Sequence, residues 1–307
     1  STLYYFTKDQ TKVETYLALH TVREIETGGS PADRIVNLND AQYREQMSAS
    51  IEPPFNPAPI AGQPNIHVIV MESLMDPLDL QLKVSQDPFS KKFRSWLGGK
   101  LYAPVYGGGT AQSEFEILCS TPSMAVIEQI VFSGFRGGSI PCWPGLLSKQ
   151  GYKTISWTGT TAGVFNGGTA YKSIGFNDSY FERAYDASDM DGGNVSNRSM
   201  FSEIRTVLTP LLASKTQLVT YAMTMSGHQP YDLHESRPNI ITTSGPDIMT
   251  LLVNNTYYNA KEAEAHIEWL LENDPDSTII LTGDHQGSKF EYEKNWVQTM
   301  ENTNSGK

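Results

Sequence analysis

Four short apolar runs organise the middle of the chain. The sharpest is Ile66-His67-Val68-Ile69-Val70-Met71, β-branched and bounded by polar residues, as expected of a strand buried on both faces of a parallel sheet. Similar runs recur at Lys153–Trp157, Leu218–Met223 and Thr278–Leu281. Between them, residues 113–119, 143–150, 199–213 and 257–273 carry helical patterning. Strands alternating with helices predict an α/β domain whose central sheet is mainly parallel and flanked by helices on both faces. Upstream, residues 8–26 pattern as an amphipathic helix that stops at Gly28-Gly29-Ser30-Pro31, and 38–50 predicts another. Five prolines between Pro53 and Pro64 follow; they remove backbone donors and fix φ, which makes an extended connector. The pattern divides the chain into an N-terminal helical arm with its connector, 1–60, and a main domain, 61–307.

Composition narrows the function classes. Hydrophobic residues at 39% and charged residues at 19% support a folded core. Lys plus Arg is 23 against 34 for Asp plus Glu, a net charge of −11, which argues against a nucleic-acid surface built from clustered cations. No apolar run of about 18 residues is present to span a membrane, and Ser1 leads into polar sequence rather than a signal peptide. A cytosolic protein and the extracytoplasmic part of a longer one both fit. The two cysteines, Cys119 and Cys142, are too few for a disulfide scaffold or a cysteine metal site. Their spacing permits one bridge; two buried thiols is the other reading, and an oxidising compartment favours the bridge.

Each apolar run is followed by residues capable of chemistry: Glu72; Thr158-Gly159-Thr160; Ser226-Gly227-His228; Asp284-His285. In open α/β sheets the ligand site lies beyond the carboxyl ends of the strands, so these endings are expected to converge. Asp284-His285 offers an oxygen and a nitrogen donor suited to a divalent cation; a capping Asp in an ordinary turn is the bland alternative. Glu72 is a carboxylate placed directly after a buried strand, where it needs a partner or a metal unless it merely complements a helix start. Taken together, the pair favours a metal. In Tyr106-Gly107-Gly108-Gly109-Thr110-Ala111-Gln112-Ser113-Glu114, three glycines let the backbone approach a ligand. Thr110 sits at a positive helix start that attracts anions. Its hydroxyl becomes a nucleophile only with a metal or base; a plain N-cap is the other reading. The segment is not a phosphate-binding Walker loop, because no Gly-Lys-Ser/Thr follows. His228 is placed to hold a phosphate oxygen or protonate a leaving group, although a surface loop histidine reads the same way. His67 reads as a satisfied core or edge residue, and His20, His234 and His266 as surface residues.

In order, Val-Met-Glu-Ser, Gly-Gly-Gly-Thr-Ala-Gln-Ser-Glu-Phe-Glu, Tyr-Lys-Ser-Ile-Gly-Phe, Ser-Gly-His-Gln-Pro-Tyr and Gly-Asp-His resemble the lipoteichoic acid synthase branch of the alkaline phosphatase and sulfatase superfamily. The resemblance covers roughly residues 64–288 and implies that superfamily's fold. It further implies a membrane-anchored enzyme, held by segments outside this chain, whose catalytic domain, 61–307, lies in the periplasm or on the outer face of the bacterial inner membrane. Such enzymes move phosphoglycerol from a phospholipid, phosphatidylglycerol, to an acceptor, here expected to be a glycan. Glu72, Thr110, Asp284 and His285 fall on the family's ligands for one divalent ion, with Mn2+ foremost and Zn2+ or Mg2+ as alternatives. Thr110 also falls on its nucleophile and His228 on its phosphate histidine. Thr158, Phe165, Asn166 and Lys172 are the further substrate-binding candidates.

The chain departs from that pattern at substrate positions. Thr158 and Gly167 stand where the family has a His and an Arg, and Phe165 where it has a Trp, so the donor's phosphate loses two positive partners unless Lys172, Arg136 or Arg183 substitutes from another position. Only 22 residues follow His285 (307 − 285), fewer than the resemblance implies. Ser120-Thr121-Pro122-Ser123-Met124 begins like a sulfatase nucleophile motif, but Met124 replaces the required Arg, which argues against sulfatase activity. Among loop aromatics, Trp143, Trp157, Phe165 and Tyr171 are candidates to pack on a sugar, most of them expected in the core instead. Phosphoethanolamine transfer, phosphodiester hydrolysis and a non-catalytic glycan-binding relative are the alternatives.

Overall fold

The structure is a computed structural model that describes residues 63–80, 82–98, 103, 105, 108–120 and 130–287. The expected arm, its helices at 8–26 and 38–50, the boundary at 61, His20 and most of the proline connector lie outside these residues, as do Tyr106, Gly107 and residues 121–124 of the sulfatase-like motif.

Strands β1 (Ile66–Met71), β2 (Lys153–Thr158), β3 (Asp178–Tyr180), β6 (Leu218–Met223) and β7 (Thr278–Gly283) form one sheet in the order β3-β2-β6-β1-β7. All four pairings are parallel. β4 (Met190–Asp191) and β5 (Asn194–Val195) make a small antiparallel hairpin. The helices are α1 (Lys91–Trp96), α2 (Thr110–Cys119), α3 (Trp143–Lys149), α4 (Gly167–Ile174), α5 (Asn197–Ala213) and α6 (Asp247–Asn273). The expected α/β fold, with helices on both faces of a parallel sheet, is what forms.

The period-2 alternation of β1 divides the core. Ile69 and Met71 face α5 and α6, packing with Phe201, Ile204, Ala263 and Ile267. Val68 and Val70 face α2 and α4, packing with Phe115, Leu118, Ala170 and Tyr171. Both sides of the strand are therefore dry, which is why its sequence is continuously apolar.

The helix patterning understated α6, which starts at Asp247 rather than 257. Its first half carries buried Asn254 and Asn255 on the inward face, so apolar periodicity is lost there. Asn254 Oδ1 accepts from the Ile240 and Ile241 amides at 2.7 and 2.9 Å; satisfied in this way, a buried amide side chain costs little. His67 is a buried, satisfied residue: Nδ1 lies 2.7 Å from Thr220 Oγ1 and Nε2 2.9 Å from Asp274 Oδ2. His266 corrects the surface reading. It follows Ala263 in the inward stripe of α6 and stacks on Phe201 at 4.5 Å, and burial holds its pKa well below the usual histidine range.

Cys119, the last residue of α2, is bonded to Cys142, which precedes α3. The bridge fastens the far end of the helix that begins with Thr110. Closing a loop across a separation of 23 residues is worth about 3 kcal/mol through the unfolded chain. A Cys119→Ala/Cys142→Ala double variant is expected to lose about that much in urea unfolding; an unchanged midpoint and slope would show that the bridge adds nothing to stability.

Candidate active site

The register of β1 and β7 builds the site. Met71 pairs with Gly283, so the next residues, Glu72 and Asp284, leave adjacent strands side by side. Slipping either strand by one residue would turn these side chains to opposite faces. Glu72, Asp284 and His285 are all buried, and one donor atom from each lies within 4.8 Å of the others. The first turn of α2 closes the group from above the strand ends. Thr110 Oγ1 donates to Glu72 Oε2 at 3.2 Å and lies 3.2 Å from His285 Nε2. Gly109, the N-cap, takes φ 80° and offers no side-chain cap; glycine tolerates that left-handed geometry, and the Gln112 amide donates to the Gly109 carbonyl at 2.7 Å, which leaves the Thr110 and Ala111 N–H groups of the first turn without a side-chain cap. The structure therefore brings together Glu72, Thr110, Asp284 and His285, the four predicted ligands.

Their neighbours set orientation. Ser73 Oγ donates to Glu72 Oε1 at 2.7 Å, and the Ser73 amide donates to Asp284 Oδ1 at 2.8 Å. Ser113 Oγ donates to the Asp284 carbonyl at 2.7 Å. His285 Nδ1 lies 3.0 Å from the Gln286 carbonyl. A carbonyl only accepts, so Nδ1 carries the proton and Nε2 of the neutral ring presents a lone pair. That lone pair lies 3.0 Å from Asp284 Oδ2, a buried oxygen with no hydrogen-bond donor. Two acceptors so close need a proton or a cation between them. Carboxylate, imidazole and hydroxyl donors converging there fit a divalent ion, with His285 held through its other nitrogen as metal-bound histidines are.

Burial pushes Glu72 up to about 7, opposed by the bonds from Ser73, Asp284 and Thr110. Burial, then the Glu72 charge, pushes Asp284 up to about 8. Burial likewise raises Glu114 to about 7, although its Oε2 accepts from Tyr171 Oη at 2.5 Å and Tyr221 Oη at 3.1 Å. Sequence reasoning did not single out Ser73, Ser113 or Glu114; the i+3 and i+4 spacing of the latter two from Thr110 places all three on one face of a helix.

Thr110 opens into a cleft of about 270 Å3 whose lining includes Glu114, Thr158, Phe165, Gly167, Asn194 and His228. The three positions where the sequence departs from the resembled pattern, Thr158, Phe165 and Gly167, thus face the cleft. His228 reaches it from the loop after β6, its Nδ1 2.6 Å from the Gln229 carbonyl. Two substrate candidates lie elsewhere. Asn166 Nδ2 donates to the Phe132 and Phe135 carbonyls at 3.1 Å each, so its amide pins the turn that presents Phe165. That turn places Phe165 and Asn166 at φ 49° and 61°, strained for Phe and tolerable for Asn. Lys172 lines a separate hollow with Gly137, Gly138 and Ser139; Tyr171 faces inward, and the next helical residue turns about 100° away. Arg136 donates to the Ser133 and Phe135 carbonyls, and neither it nor Arg183 is among the described cleft residues. Of the aromatic candidates, Trp157 is wholly buried and Trp143 Nε1 donates to the Ile117 carbonyl at 2.7 Å; Phe165 reaches the cleft well exposed, and Tyr171 shows there only as a buried wall.

A parallel α/β sheet with a buried acid–histidine group at its carboxyl edge and a threonine at a facing helix start carries a donor set for a divalent ion where such sheets bind ligands. Residues 64–306 match the Sulfatase family model, and the chain belongs to that family, within the alkaline phosphatase/sulfatase superfamily. A Rhizobium meliloti (strain 1021) protein named for cyclic beta-1,2-glucan modification is 26% identical over 232 residues, 73% of this chain and 36% of that protein. The fold is similar to lipoteichoic acid synthase LtaP from Listeria monocytogenes, with TM-score 0.64, 21% identity, and 74% of this chain and 57% of that one covered. It is also similar to Streptococcus pyogenes phosphoglycerol transferase GacH, solved with sn-glycerol-1-phosphate, with TM-score 0.60, 21% identity, and 80% and 67% covered. The chain thus spans about a third of the curated relative's length and just over half of the LtaP chain.

The raised carboxyl pKa values carry a sign. Unfolded, Glu72 and Asp284 lose their protons near pH 4; folded and metal-free, they keep them until about 7 and about 8. The folded state binds more protons in that window, so its stability is lost as pH rises through it. Chelator-treated protein is expected to show a falling melting temperature from about pH 5 to about pH 8, and saturating Mn2+ is expected to remove the fall. A flat or rising profile for the chelated protein would contradict the shared burial of these carboxyls.

Proposed function

We propose that the chain is the catalytic part of a metal-dependent phosphoglycerol transferase that acts outside the cytoplasm and moves phosphoglycerol from phosphatidylglycerol to a glycan through a phospho-threonine intermediate. One observation carries this reading: Thr110 Oγ1 stands at a helix start on a cleft wall, 3.2 Å from both Glu72 Oε2 and His285 Nε2. In this reading residues 61–307 are the catalytic domain, residues 1–60 its arm and connector, and segments outside this chain supply a membrane anchor.

Glu72, Thr110, Asp284 and His285 would hold one divalent ion, Mn2+ foremost and Zn2+ or Mg2+ as alternatives. Such an ion, when bound, acidifies the threonine hydroxyl and offsets charge on the phosphoryl oxygens. Thr110 Oγ1 attacks phosphorus in line with the bond to the diacylglycerol oxygen. The positive start of α2, where Thr110 and Ala111 lack a side-chain cap, favours the developing negative charge. His228 holds a phosphate oxygen or protonates the departing diacylglycerol. A glycan hydroxyl then attacks the phospho-threonine, takes the phosphoglycerol, and frees Thr110. Two half-reactions let the lipid and the glycan use one cleft in turn.

The relative named for glucan modification supports a glycan acceptor, and the names of LtaP and GacH support a phosphoglycerol donor. The Cys119–Cys142 bridge supports an oxidising, extracytoplasmic location. Among the described residues no helix is long and apolar enough to cross a membrane. The cleft also favours glycerol over ethanolamine. Glu114 is the one carboxylate among its described lining residues, and it is engaged by Tyr171 and Tyr221; an ammonium group would find no free acid there, whereas a diol meets hydroxyls and an amide.

Thr110→Ala is expected to lower turnover on the order of 10^4-fold or more, while stability changes by about 1 kcal/mol. Intact-mass spectrometry after incubation with phosphatidylglycerol is expected to find a phosphoglycerol adduct on wild type and none on the variant. A phosphoethanolamine adduct formed from phosphatidylethanolamine instead would reassign the donor, and activity retained by Thr110→Ala would remove the nucleophile. Asp284→Ala is expected to leave the purified protein without bound metal, as read by elemental analysis.

A further inference from the structure

A buried charge cluster ties two cleft-lining segments together. Arg237 Nε and Nη2 donate to Asp191 Oδ1 at 2.9 and 2.6 Å, and Nη1 donates to Asp189 Oδ1 at 2.8 Å. Asp191 ends β4 in the hairpin whose other strand starts with Asn194, and Asn194 lines the cleft. Asp191 Oδ2 accepts from Ser226 Oγ at 3.0 Å, and its Oδ1 also accepts from the His234 amide at 2.8 Å. Both partners belong to the loop that carries His228. The Ser226 carbonyl accepts from Asn255 Nδ2 at 2.8 Å. Gly227 then passes so close to β1 that a Cβ there would lie 2.0 Å from the Glu72 carbonyl oxygen. A continuous chain of contacts therefore runs from the hairpin through Ser226 and Gly227 to the backbone of Glu72, with Asn194 and His228 as its cleft-facing ends.

Arg237, Asp189 and Asp191 are each more than nine-tenths buried. A buried ion pair is a poor source of net stability, because desolvation offsets the attraction; what it adds is a single geometry. The charge-assisted, forked bonds of one guanidinium to two carboxylates hold that geometry tightly, and a displacement of about 1 Å at a reacting centre costs about 100-fold in rate. Asn194 is half-buried, and among the described residues its side chain makes one bond, a long 3.5 Å to the Gly192 carbonyl within its own hairpin turn. Its carboxamide can offer a donor and an acceptor together, which matches a vicinal diol.

We propose that the Asp189–Asp191–Arg237 cluster positions the donor subsite, setting His228 and Asn194 against Thr110, and that Asn194 reads the hydroxyls of the head group. This rests on the phosphoglycerol-transfer reading above.

The test uses metal-loaded protein with phosphatidylglycerol as donor, following Thr110 adduct formation, KM, kcat and bound metal. Asn194→Ala, at a half-buried hairpin position, is expected to raise KM about fivefold, the equivalent of one lost hydrogen bond, with kcat and metal content unchanged. Arg237→Met is expected to raise KM and lower kcat together at unchanged metal content, with Arg237→Lys recovering part of both. Where Arg237→Met does not fold, Ser226→Ala decides, since it removes one bond to Asp191 and no charge; a raised KM is the expected result. A wild-type KM in Asn194→Ala overturns the head-group role. Wild-type kinetics in a folded Arg237→Met, or in Ser226→Ala, overturn the positioning role. These failures occur with a wild-type protein that still forms its Thr110 adduct; a wild type that forms none overturns the transfer reading and this inference with it.

Discussion

Two carboxylates and an imidazole are packed together in a dry pocket at the ends of neighbouring strands, and the molecule must reconcile them. Glu72 and Asp284 repel each other, and burial penalises the charge on each. Among the described residues Asp284 Oδ2 accepts no further hydrogen bond, and it faces His285 Nε2 at 3.0 Å. Taken alone, that arrangement is unfavourable; the bonds from Ser73 offset part of the cost, and Ser113 holds the Asp284 backbone in place. A cation at their centre turns the same arrangement into a stable one.

The parallel sheet makes this possible because its core extends over both faces. Strand β1 is dry on each side, so the residue that leaves its end cannot turn to solvent without unpicking the sheet. Helix α2 completes the group and is itself held along its length and at its far end. Phe115 and Leu118 bind it to the sheet, and Cys119 fastens it to the segment before α3. Glu114, bonded by Tyr171 and Tyr221, joins the middle of the same helix to α4 and β6. Thr110 is therefore placed by a braced helix instead of a free loop, consistent with a group that must meet a reacting atom within a fraction of an ångström.

The four core strands were legible because a strand buried on both faces leaves an unbroken apolar run. Thr110 and the three residues around it were legible because each follows such a run or opens a helix after glycines. Elements with mixed patterning were missed. Helix α4 carries two glycines and a lysine, and the first half of α6 turns asparagines inward, where hydrogen bonding replaces apolar contact. His266 was misread although it lies in the stripe of Ala263, Ile267 and Leu270. Lys172 was read as a source of the charge missing at Thr158 and Gly167, and Asn166 as a further substrate contact. The helix turned one away, and two backbone carbonyls engaged the other.

The amino-acid sequence by itself determined the α/β class, the four long strands and the residue types left at their ends, because these follow from local apolar period and the polar residues that interrupt it. Tertiary structure alone decided that Met71 and Gly283 share a register, that the two cysteines meet, and that Arg237 reaches back across more than 40 residues to Asp189 and Asp191. Those outcomes depend on which surfaces pack together, and no short stretch of chain carries that information.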